Sequence, residues 1–148
     1  NASSISDGAA ALTLMMADQA AEQGLKPLAI IHGYDESAQE PEWFTTAPVT
    51  AIQNTLKRVG WTLDEVDLWE INEAFAVVAM AAMRELGISH EKLNVHGGAC
   101  ALGHPIGASG ARIVVSLIHA MIRRGDKRGV ASLCIGGGEA TAMAIEII

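Results

Sequence analysis

At 148 residues the chain has the size of one ordinary domain and is long enough to bury a core without disulfide staples. Half of its residues are hydrophobic but only 4% are aromatic, a balance that suits buried strands and helices packed through small side chains and leans toward an α/β architecture. With a net charge of −7, cations clustered only at Arg123, Arg124, Lys127 and Arg128, and no charge-free apolar run of about 18 residues, neither nucleic acid nor a membrane is an expected partner.

The opening stretch begins at Asn1 and runs straight into small residues, so the chain is expected to be an incomplete piece of a longer protein. Residues 9–16 form an apolar run that predicts a buried strand, and residues 17–23 predict a helix stopped by Gly24 and Pro27. A second strand is expected over 28–33. An acidic loop containing Pro41 and Pro48 then leads to a helix over 49–59, where Ile52, Leu56 and Val59 share a face and Gly60 ends the pattern. Residues 66–71 predict a strand and 73–86 an apolar helix closed by Gly87.

Residues 93–96 are short and extended. A Gly-rich stretch follows to Gly110, and a helix is expected over 111–124, with Arg123 and Arg124 suiting its carboxyl end. Residues 129–135 and 140–148 predict two strands separated by Gly136, Gly137 and Gly138. With no helix between them, they should pair antiparallel.

Polar side chains fall at the ends of these elements, where an α/β sheet displays its chemistry. Asn72 stands between a strand and a helix, either as an N-cap or as an amide that holds a water or ligand. His104 lies between Gly103 and Pro105 in a glycine-rich loop, as a hydrogen-bonded loop histidine or as a general base. Cys134 ends an apolar strand before three glycines whose N–H groups could meet a developing oxyanion; the alternative is an inert buried thiol. Cys100, among small residues, reads as packing. Neither cysteine has framework or zinc-ligand spacing, so no metal is expected and a reduced, cytoplasmic setting is. The glycine-rich stretch lacks the Gly-Lys-Ser or Gly-Lys-Thr of a phosphate loop.

Taken in order, Asn1-Ala2-Ser3 with Asp7-Gly8-Ala9-Ala10, the NEAFA run 72–76, the run 94–110 ending in GHPIGASG, and the CIGGG run 134–138 resemble four motifs of the thiolase family. That resemblance implies the second half of a layered α/β/α/β/α body, a mixed sheet with helices on both faces. Residues 1–24 would close the family's N-terminal domain and residues 25–148 would form its C-terminal domain.

The implied activity is acyl transfer that makes or cleaves a carbon–carbon bond between acetyl-CoA and an acyl-CoA, in fatty acid metabolism including β-oxidation. Coenzyme A thioesters are then substrates, and no cofactor is implied. His104 would activate a nucleophilic cysteine and donate to the thioester oxygen of the second substrate, while Asn72 would hold a water completing that oxyanion site. Cys134 would exchange the α-proton, and the Gly136 N–H would serve the other oxyanion hole. Ser3 would touch the pantetheine arm, and Phe44 and Phe75 would lie on the acyl side.

The departures are equally specific. The family's nucleophile sits in a VCGSG-like setting of the first half, which neither cysteine here has, and the loop domain that clasps coenzyme A has no counterpart. His96 replaces a more usual Asn, Cys100 a frequent Ile, and Phe44 lies where a Met is common beside the acyl chain. The chain alone is therefore expected to be inactive, to need the N-terminal half as partner, and to belong to a homo-oligomer when complete. A second reading is a catalytically incomplete module that binds coenzyme A or a partner.

Overall fold

A computed structural model describes all 148 residues. The elements, in order, are α1 (Ala17–Glu22), β1 (Ala29–Ala38), α2 (Ala47–Val59), β2 (Leu68–Ile71), α3 (Ala76–Leu86), α4 (Ala99–Leu102), α5 (Ser109–Arg124), β3 (Arg128–Cys134) and β4 (Glu139–Ile147). Short 3₁₀ turns occupy Pro41–Thr46, Leu63–Glu65 and His90–Lys92. The four strands form one mixed sheet in the order β1-β4-β3-β2, with β2 parallel to β3 and the other pairs antiparallel.

Side-chain alternation along the strands divides the core into two layers. Trp69 and Ile71 of β2, Val130 and Cys134 of β3, and Ala140, Ala142 and Ala144 of β4 pack with α2 and α3 on one face. Leu68, Ala131 and Ile145 meet Ile113, Leu117 and Met121 of α5 on the other. The expected mixed sheet with helices on both faces is therefore present. The alanines of β4 leave room for α2, whose Ala47, Ala51 and Ile52 are fully buried.

The β3–β4 pair is antiparallel as its glycine-rich connection implies, with Cys134 opposite Ala140. The other boundaries moved for identifiable reasons. Residues 9–16 form no strand and are exposed apart from half-buried Ala10, because no strand edge lies beside them to complete their hydrogen bonds. β1 continues through Asp35 and Glu36 to Ala38, since an edge strand paired only with β4 tolerates acidic side chains, and Asp35 pairs with Arg58 at 2.8 Å.

The helix expected from residue 73 begins at Ala76. Before it, the chain stays extended to meet the N-terminus: Ala2 bridges Phe75, Ser3 N donates to Ala74 O at 3.0 Å, and Ala76 N donates to Asn1 O at 2.9 Å. Residues 93–96 make only an isolated bridge between Leu93 and Trp69, ending where Asn94 adopts φ 47°.

Candidate active site

Asn72 directly follows β2, and its N–H donates to Ser132 O of β3 at 2.9 Å. Cys134 ends β3 two residues further on. Both therefore stand at the carboxyl ends of the parallel pair, the edge where open α/β sheets place their sites. The alternation that faces Trp69 and Ile71 toward α3 turns Glu70 and Asn72 toward α5, while Cys134 belongs to the α2/α3 layer. The N-cap alternative for Asn72 fails, because Phe75 holds that position.

His104 is delivered to this edge by the loop between α4 and α5. Its N–H donates to Ser4 O at 2.8 Å, and it bridges Ile5 in parallel. The preceding Gly103, at φ 91°, lies so close to Ser6 that a Cβ would collide with the Ser6 hydroxyl. His104 Nδ1 lies 2.6 Å from Ser109 Oγ, and that hydroxyl donates to Pro105 O at 3.1 Å. A hydroxyl has one proton to give, and a carbonyl can only accept. Ser109 therefore receives the Nδ1–H, which assigns the basic lone pair to Nε2.

Nε2 faces the Asn72 side-chain nitrogen at 3.4 Å, and the Asn72 oxygen accepts from Arg112 at 3.2 Å. Burial and then the Arg112 cation hold His104 below the ordinary imidazole value, so the ring is neutral at pH 7. The structure thus brings together Asn72 and His104 from the sequence reading. It adds Ser109 and Arg112, which that reading missed.

Cys134 has no hydrogen bond to this group; its thiol is buried, and burial pushes it up, so it is protonated at neutral pH. Beyond it the chain turns tightly: Ile135 N donates to Glu139 O at 2.7 Å and Gly138 N to Ile135 O at 3.2 Å. The exposed Gly136 N–H carries no hydrogen bond within the chain and is free to serve as a donor.

Around these groups, Glu73 and Asn94 fasten the glycine-rich loop to the sheet. Asn94 donates to Ile71 O at 2.8 Å and accepts from Ile71 N at 2.8 Å, completing the open edge of β2 as a strand would. Glu73 accepts from Asn94 Nδ2 at 3.0 Å and from Cys100 N at 3.1 Å. Cys100 itself is exposed rather than packed, its thiol 3.7 Å from both Asn1 O and Glu73 O. The Ser3 hydroxyl donates to Ala74 O at 3.1 Å. Phe44 and Phe75 meet edge to face, with centroids 5.9 Å apart. His96 lies on the surface, 3.4 Å from Arg123.

The family model described as the thiolase C-terminal domain matches residues 25–147. The chain belongs to the thiolase family. It is 55% identical to an acetyl-CoA acetyltransferase of Chromobacterium violaceum and 51% identical to a cytosolic acetyl-CoA acetyltransferase of Mus musculus, in each case over 99% of this chain and 37% of the relative. Its fold superposes with a TM-score of 0.86 on a thiolase from Ascaris suum crystallised with coenzyme A, at 47% identity, over 90% of this chain and 34% of the other. The chain spans little more than a third of these thiolases. Its sheet with helices on both faces is shared with the part of the Ascaris suum thiolase on which it superposes.

Proposed function

We propose that this chain supplies the His104, Asn72 and Cys134 side of an acetyl-CoA C-acyltransferase site, and that the nucleophilic cysteine comes from the part of the thiolase body that it does not span. The observation that carries this reading is the oriented Asn72–His104–Ser109 group at the carboxyl end of a strand whose parallel neighbour ends in Cys134. A neutral His104 with its lone pair at Nε2 is ready to take the proton of a thiol nucleophile. Once protonated there, it can donate to the thioester oxygen of the second acyl-CoA, alongside a water held by Asn72.

In synthesis, the protonated Cys134 first gives its proton to the departing coenzyme A thiolate as the acyl group passes to the nucleophile. The resulting Cys134 thiolate then removes the α-proton of the second acetyl-CoA. The enolate attacks the acyl carbonyl, and the nucleophile leaves and recovers its proton from His104. A thiol that burial keeps protonated suits the first of these steps. The Gly136 N–H receives the oxyanion on the acyl-enzyme side, Ser3 meets the pantetheine arm, and Phe44 with Phe75 borders the acyl chain.

In this reading residues 1–24 belong with the neighbouring domain, which is supported by the family match that begins at residue 25 and by the exposure of residues 9–16, while residues 1–5 reach across to residues 74–76 and His104. Acyl-CoA substrates are supported by the Ascaris suum thiolase crystallised with coenzyme A and a cytosolic setting by the cytosolic mouse relative, and a homo-oligomeric complete enzyme is part of the same proposal. The test is thiolysis of acetoacetyl-CoA by the chain alone and mixed with a nucleophile-bearing thiolase N-terminal part. Activity confined to the mixture and abolished by Cys134→Ala or His104→Ala is expected. Robust activity of the chain alone would contradict the assignment of the nucleophile, and coenzyme A binding without turnover in either sample would favour the binding-module reading.

A further inference from the structure

Glu70 is a carboxylate in the middle of a buried strand. It is 1% exposed, and its neighbours Leu68, Trp69 and Ile71 are equally enclosed. A burial of this kind requires a partner. That partner is Arg112, one turn into α5, whose NH1 donates to Glu70 Oε2 at 3.4 Å while Oε1 is left without a hydrogen bond. The other arm of the guanidinium, NH2, donates to Asn72 Oδ1 at 3.2 Å.

An amide side chain can turn end over end and exchange donor for acceptor. A guanidinium only donates, so contact with Arg112 admits only the oxygen of Asn72 and sends its NH2 group toward His104. At the far end the Pro105 carbonyl only accepts. Between these two fixed ends every bond has one direction: Arg112 to Asn72, Asn72 to His104 Nε2, His104 Nδ1 to Ser109, and Ser109 to Pro105.

We infer that Arg112 is a positioning residue that acts through Asn72, fixing its amide with the NH2 group toward His104 and the substrate oxygen, and that Glu70 anchors the guanidinium in this role. The part that concerns substrate rests on the thiolase reading above; the direction of the hydrogen bonds does not. Arg112 and Glu70 make no contact with the reacting atoms in this account. Their effect passes through the orientation of one amide and, for Arg112, also through its charge, which helps to hold His104 below the ordinary imidazole value.

The test has two independent readouts. In the mixture of this chain with the nucleophile-bearing part, Arg112→Met should lower kcat by about a hundredfold with little change in KM, the scale of losing one oriented oxyanion donor. Arg112→Lys should recover part of the loss. In an Asn72→Ala background the same Arg112→Met change should cost almost nothing further, because the two act as a unit. Additive losses, or an unchanged kcat in Arg112→Met, would overturn the inference.

The second readout is nitrogen NMR of His104 in the 148-residue chain. The wild type should show a protonated Nδ1 and a lone pair at Nε2, and Arg112→Met should move the Nε2 signal, as Asn72 loses its fixed orientation toward it, and raise the His104 titration midpoint. A folded Arg112→Met variant with unchanged His104 signals would overturn the proposal even if the wild-type mixture proved inactive, an outcome that would sink the functional reading separately. Should Arg112→Met unfold, the double change Glu70→Gln/Arg112→Met removes the buried charge and takes its place in both measurements.

Discussion

His104 Nδ1 and Ser109 Oγ are 2.6 Å apart, across the turn that carries the chain from the Gly103-His104-Pro105 loop into α5. Ser109 is fully buried, and its hydroxyl is tied in turn to Pro105 O. Ser109→Ala removes the acceptor for Nδ1–H and lets the other tautomer compete. We expect kcat for thiolysis in the reconstituted mixture to fall about tenfold, because the base is misoriented rather than removed. An unchanged kcat would show that Ser109 only packs.

The pH profile carries a sign of its own. Burial and Arg112 depress His104, so the neutral base persists throughout the range above its folded value, and activity falls only as pH drops through a midpoint below the ordinary imidazole value of 6.5. The same shift contributes stability that is present above the unfolded value and lost as pH falls through the folded one. A midpoint at or above 6.5 in kcat/KM against pH would contradict the placement of His104 beside the Arg112 cation.

Glu70 behaves in the opposite sense. Burial pushes its carboxyl up from 4.5 to about 7, with Arg112 pulling the other way and Glu73 adding to the rise. Stability is fully present below the unfolded value and is lost as pH rises from there through the folded one, because the unfolded chain releases the proton first. A rise of that size corresponds to about 3 kcal/mol lost by pH 8. Glu70→Gln should flatten this decline in urea unfolding between pH 5 and 8; an equally steep decline in the variant would place the titrating group elsewhere.

Gly98 is extended, and a Cβ there would run into the Glu73 carboxylate. That carboxylate is held by Asn94 and by the Cys100 N–H, so it has little freedom to move aside. Gly98→Ala should therefore destabilise the chain by about 1–3 kcal/mol, the scale of disturbing a pair of charge-assisted hydrogen bonds. An unchanged denaturation midpoint would mean the clamp gives way freely.

Much of this arrangement was legible in the sequence, and the illegible parts have a common cause. The turn between β3 and β4 announced itself through three glycines, and Cys134 at its mouth followed directly. His104 stood out because a Gly–Pro setting leaves an imidazole few reasons to be there. Residues 9–16 looked like a strand because apolar composition is local, whereas a strand exists only beside a partner edge.

The start of α3 shifted to Ala76 for the same reason: residues 74–76 are claimed by Asn1 and Ser3, which lie more than 70 positions away. Arg112 looked like an ordinary cation near a helix start, and nothing local tied it to Glu70 or Asn72, which lie 42 and 40 positions away. A charged residue inside an otherwise apolar strand, Glu70, was the one available sign that such a partner must exist.

The central claim is that this chain carries a working half of a thiolase site. It is tested most directly by grafting the 148 residues in place of the corresponding part of the Chromobacterium violaceum acetyltransferase and measuring acetoacetyl-CoA thiolysis. The account predicts that the graft turns over and that Cys134→Ala and His104→Ala each silence it. A folded graft without activity, or one that keeps full activity after losing either side chain, would contradict it.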